Sequence, residues 1–185
     1  MKFSKLENAY EKRNLLLFLC FSFCVCLVAI DNVQLGQFLT KFATLSDFYR
    51  LLSSNLAEKT FFVRTVRFLM DQRFSIRTCL RFFLEVVSMK EYFILFVSII
   101  LLVSISFAQS IKRMKQVLIT YWITNILQYL IAAPFIVMSM QTISTDSVIA
   151  NMNAIGIVFS VISYVHIGIF LLSFFIVYRG FGESE

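Results

Sequence analysis

One histidine, His166, lies in the run SYVHIGIF, among apolar residues and small hydroxyls. An ionisable group inside an apolar run invites a functional role, as a proton relay or a ligand contact. It can equally stay neutral and hydrogen-bond a neighbouring helix. A relay needs a second ionisable group, and the cores of the apolar runs hold none, so packing is the expected role. Thr120, Thr124 and Gln128 recur every fourth residue in another apolar run, with Asn125 adjacent, and Ser160 and Ser163 stand on the His166 side of theirs. Thr120, Thr124, Asn125, Gln128, Ser163 and His166 therefore form a candidate intramembrane polar seam. Such a seam either lines a path for a polar substrate or supplies interhelical bonds worth about 1 kcal/mol each.

A second constellation is basic. Phe61 to Lys90 reads FFVRTVRFLMDQRFSIRTCLRFFLEVVSMK and carries Arg64, Arg67, Arg73, Arg77 and Arg81. Arginine at every third position across a membrane is the mark of a voltage sensor. Here the spacing slips, Asp71 interrupts it, and no acid stands in the core of another apolar run. The pattern instead predicts amphipathic helices lying in a membrane interface, with the five arginines as candidate contacts to lipid head groups, anionic ones included.

Cys20, Cys24 and Cys26 fall inside one apolar run and Cys79 stands apart. Metal binding there would need thiolates in hydrocarbon, which is unfavourable, and the pattern is no disulfide framework. Small packing residues are the expected role. No glycine-rich phosphate loop, H-E-x-x-H, G-x-S-x-G or paired acidic constellation occurs. Neither a metal, a cofactor nor an enzymatic activity is expected.

The elements that position these groups follow from composition. The chain has 185 residues, 59% hydrophobic, with 22 Phe, 5 Gly and 1 Pro, and its mean hydropathy is +0.81. Few turn formers and so much apolar surface predict long helices in a membrane. The formal charge of +6 would suggest nucleic acid in a soluble chain. Here the cations flank apolar runs, so lipid is the expected counter-charge and nucleic acid is not a partner.

Spans are expected at about 15–33, 92–111, 117–138 and 155–178, with an amphipathic interfacial segment over 46–90. Met1 to Asn14 reads as a surface helix or arm, and the acids Glu7 and Glu11 in it favour a retained signal anchor over a presequence. Asp31 to Leu45 reads as a turn followed by amphipathic structure, with Ser46 or Asp47 as a helix cap. IKRMKQ, Ile111 to Gln116, reads as a short basic turn that makes spans two and three an antiparallel hairpin. Ser139 to Asn153 reads as a polar link. Pro134 should kink the third span. Tyr92, Tyr121, Trp122 and Tyr178 read as interface anchors.

Lysine and arginine bias places both termini and the KRMK turn in the cytosol for spans one, three and four. Span two has basic residues on both sides, so no arrangement satisfies it, and 31–90 is assigned to the far side. The expected class is an all-α integral membrane protein, a single membrane domain of four transmembrane helices in a bundle plus interfacial amphipathic helices between the first two. The expected function is that of a non-enzymatic multi-pass protein, an accessory or structural subunit of a larger membrane complex. A small transporter or channel-forming subunit is the alternative. Its partners are membrane lipids and other membrane subunits, and an endomembrane or plasma membrane is favoured.

Overall fold

The computed structural model describes residues 2–71, 77, 81, 87–104, 109–141 and 144–182. Every regular element among them is an α-helix: α1 (Lys2–Leu39), α2 (Leu45–Ser53), α3 (Asn55–Lys59), α4 (Phe61–Asp71), α5 (Met89–Val103), α6 (Gln109–Gln141) and α7 (Thr145–Gly182). Three are long and apolar enough to cross a membrane, over Ala9–Leu39, Lys112–Ser139 and Thr145–Arg179. The sequence predicts four. The helix at the second position, α5, has 15 residues, about 23 Å at 1.5 Å per residue, against a hydrocarbon core of about 30 Å. Residues 105–108 lie outside the described set, and 109–111 already belong to the next helix.

Several expected turns are helical. The polar arm at the N-terminus is continuous with the first apolar run, and α1 passes through Asp31 to Leu39 without a break. Gly36 serves close packing there, not a turn. IKRMKQ lies within α6, because Lys, Arg, Met and Gln favour helix and nothing in the segment breaks it. Most of Ser139 to Asn153 is helical too: α6 ends at Gln141 and α7 begins at Thr145, with Asp146 in its first turn, where a carboxylate suits the helix dipole. Pro134 sits inside α6.

The stretch 46–70 divides into three short helices. Ser54 and Thr60 take extended backbone angles, and their hydroxyls donate to the carbonyls of Leu51 (2.7 Å) and Leu56 (2.9 Å), bonds that compete with helix continuation. Thr44, rather than Ser46 or Asp47, is the N-cap of α2. Asp47, three residues on, accepts from the backbone N–H of Ala43 (3.1 Å) and Thr44 (3.0 Å). Those N–H groups, first Ala43 and then Thr44, hold its carboxyl below the usual carboxylate range. The basic segment over 74–88 lies almost wholly outside the described residues.

α1 packs along α7, α6 along α7, and α5 along α1. The core has two parts. One joins Leu15, Phe18, Phe21 and Val25 of α1 to Ile94 and Val97 of α5, Met114 and Leu118 of α6 and Ile169 of α7. The other joins Leu35 and Leu39 of α1 to Leu51, Phe62 and Val63 of the short helices, with Ala132, Ile155 and Phe159. Between α1 and α7 the backbones touch. A Cβ added to Gly36 would lie 2.7 Å from the Gly156 carbonyl, and one on Gly156 2.7 Å from the Gly36 carbonyl. Only glycine permits that approach. Just beyond it the Asn153 amide, oriented with its nitrogen toward α1, reaches the carbonyls of Leu39 (2.6 Å) and Thr40 (3.2 Å) at the end of that helix, where the Leu39 carbonyl also accepts from the Phe42 N–H.

Candidate functional site: a polar seam between α6 and α7

Thr124 of α6 and His166 of α7 meet in the interior. Thr124 Oγ1 lies 2.9 Å from His166 Nε2, and His166 is 1% exposed. The same hydroxyl is 2.9 Å from the carbonyls of Thr120 and Tyr121. With its proton held by a backbone carbonyl, the hydroxyl accepts from Nε2–H, which assigns the tautomer from the bonding pattern. The Tyr121 ring covers the imidazole at 4.9 Å between centroids.

One turn farther along α6, Gln128 is fully buried. The two helices run antiparallel, so a step of four on α6 matches a step back of three or four on α7 and sets Gln128 at the level of Ser163. One turn more brings Ala132 to the level of Phe159, and both are buried. Neither amide atom of Gln128 nor the Ser163 hydroxyl has a hydrogen-bond partner among the described residues. Serines elsewhere in the bundle bond back to their own helix, Ser22 to Phe18 and Ser173 to Ile169.

The remaining seam residues, Thr120 and Asn125, differ in their surroundings. Thr120 is exposed and donates to the Gln116 carbonyl. Asn125 is half-buried on the face of α6 that also carries Tyr121, Gln128 and Ala132 and makes no hydrogen bond to the described residues. Among the expected interface anchors, Tyr121 is core instead, 3% exposed and edge-on to Phe21 at 5.5 Å, and Trp122 donates to Ser98 Oγ at 3.1 Å.

Of the five arginines, Arg64 turns inward and pairs with Glu91 at 3.0 Å. Arg67 is exposed and donates to the Leu52 carbonyl. Arg77 and Arg81 are exposed, and Arg73 lies outside the described residues. Glu91 also accepts from the Ser88 N–H, while Ser88 accepts from Glu91 N–H, a reciprocal cap written in the sequence as S-x-x-E. Three tertiary contacts escape a reading by spacing: Lys90 Nζ to Asp31 at 2.5 Å, Asn14 to Ser104 at 3.2 Å, and the Gly36–Gly156 approach. Only the position of Asp31 at the edge of an apolar run hinted at the first.

Among the described residues, cavities of about 340 Å³ each lie at two places on the bundle. One lies between α2, α4 and the α6–α7 connection, lined by Phe48, Leu52, Phe62 and Met152. The other is a groove between the first turns of α6 and the last turns of α7. Among the described residues no three His, Cys, Asp or Glu side chains gather as metal ligands.

The chain is thus an all-helical protein with three helices long and apolar enough to cross a membrane. No family model, curated protein or solved structure matches it.

Proposed function

We propose that the chain is a non-enzymatic multi-pass membrane protein, an accessory or structural subunit of a larger membrane complex. The apolar outer face of α6 carries this role. Ile119, Ile123, Ile126, Leu127 and Leu130 of α6 (Gln109–Gln141) share one side of the helix and are 44–65% exposed. With few ionisable groups on it, this side offers a long apolar surface to a partner helix, where association rests on close packing.

The inner polar chemistry points the same way. The Thr124 hydroxyl is committed to backbone and imidazole, and no carboxylate orients His166 among the described residues, so the pair lacks the third group of an activated nucleophile.

A fourth crossing by α5 belongs to the proposal. It is tied to α1 at both ends, by Lys90 to Asp31 and by Ser104 to Asn14. Asn14 and Asp31 lie about 26 Å apart along α1, close to a full hydrocarbon thickness. The short helices α2 to α4 then lie on the membrane surface opposite the N-terminal half of α1, with Arg67, Arg77 and Arg81 facing head groups.

Affinity purification from native membranes in mild detergent tests the subunit role. Wild-type protein should retain a partner chain in fixed proportion, and Ile126→Trp with Leu130→Trp, which reshapes the outer face of α6, should lose most of it. A monodisperse lone chain with activity of its own would refute it. Buried, unpartnered Gln128 and Ser163 favour a second role, a small transporter or channel-forming subunit. Solute flux into liposomes by the chain alone, abolished by His166→Ala and by Gln128→Ala, would establish that role instead.

A further inference from the structure

The groove between α6 and α7 has an apolar wall and a basic mouth. Gln116, Val117 and Thr120 form one side; Ile169, Leu172 and Ile176 form the other. Arg113 and Arg179 stand at one end of it, both exposed. The wall opens outward, for Leu172 is 52% exposed.

We propose that this groove binds one anionic phospholipid, its phosphate between Arg113 and Arg179 and an acyl chain along the wall below. Charge complementarity selects the occupant. Lys112, Arg113 and Lys115 crowd the first turns of α6, which carry no acid, and three cations there oppose the helix dipole. A phosphate offsets both the repulsion and the dipole, and guanidinium groups bind phosphate oxygens in a fork.

Depth selects it as well. Arg179 and Ile169 are about 15 Å apart along α7, which is half of a hydrocarbon core of about 30 Å, or one leaflet. A soluble phosphate would use the arginines and leave the apolar wall uncovered. Thr120, expected in the inner seam, is accounted for here, with its methyl on the groove wall and its hydroxyl turned to its own helix. The site does not depend on the chain being a subunit.

Native mass spectrometry of the purified chain tests it, with phosphatidylglycerol and phosphatidylcholine as probes. Wild-type protein should retain one phosphatidylglycerol in preference to phosphatidylcholine. Arg113→Gln with Arg179→Gln should weaken that binding roughly 30-fold, at about fivefold per lost cation. Leu172→Trp should block the groove with both arginines in place. Lys41→Gln with Lys59→Gln, a matched charge loss at the other end, should change nothing. Equal retention of the two lipids overturns the proposal. So does an equal loss in the Lys41/Lys59 variant, or occupation of the groove by a second copy of the chain, seen as a dimer that Leu172→Trp dissociates.

Discussion

Two residues one turn apart on α6 illustrate how differently a polar side chain can sit in the same helix. Half-buried Thr124 has a cross-helix partner in His166, whereas fully buried Gln128 has none among the described residues. Removing a made bond costs about 1 kcal/mol in a membrane bundle. Replacing a buried, unpaired amide by an apolar chain of similar shape removes a desolvation cost of about 1–3 kcal/mol. Thr124→Val should therefore lower the thermal denaturation midpoint of the protein in detergent, and Gln128→Met should raise it. A fall in both would mean that Gln128 has a partner in the membrane that secures it. Helical spacing groups Thr124 with Gln128 on one apolar run and Ser163 with His166 on another. It could not separate them from exposed Thr120, because spacing fixes which residues share a helix face and leaves open which neighbour covers that face.

At the scale of elements, α1 and α7 owe their contact to the absence of side chains. Gly36→Ala would drive a methyl against the Gly156 carbonyl and the Ser160 backbone N–H at 2.9 Å. Overpacking of this kind costs about 1–3 kcal/mol. Gly168 lies on the same helix α7 but has open space where a Cβ would stand. Gly168→Ala should stabilise by about 0.5–1 kcal/mol through backbone entropy alone. Thermal unfolding in detergent should thus move in opposite directions for the two alanines, and a parallel shift would show that α1 and α7 do not touch at Gly36. The existence and apolar extent of the long helices were legible in hydropathy. Their ends were not: KRMK and the 145–153 stretch look like loops by polarity, yet they contain no breaker and helix propagates through them. The divisions at Ser54 and Thr60 were hidden for the converse reason, since serine and threonine are tolerated inside helices as often as they end them.

For the whole molecule, antiparallel packing gathers charge at its ends. Lys12, Arg13, Lys112, Arg113, Lys115 and Arg179 share one end, and Asp31, Lys41, Lys90 and Glu91 share the other. One of the cations that set the second span against the orientation rule, Lys90, is partnered by Asp31. The rule placed the first end in the cytosol from three spans. Labelling with a membrane-impermeant maleimide tests this, using Lys59→Cys and Lys115→Cys in a chain whose four native cysteines are alanine. With α5 crossing, the two positions should react from opposite sides of the membrane. Reaction from one side would leave three crossings and return α5 to the surface.

The glycine contact also sets a schedule. α1 is synthesised first and α7 last, and Gly36 meets Gly156 only after roughly 120 further residues have been made, about 6–24 s at ordinary elongation rates. During that interval the face of α1 that carries Phe18, Ser22 and Gly36 has no α7 to cover it. Until its last helix arrives that face depends on the insertion machinery or on neighbours in the membrane for cover, so a chain shortened before α7 would present it, around Gly36, to quality control.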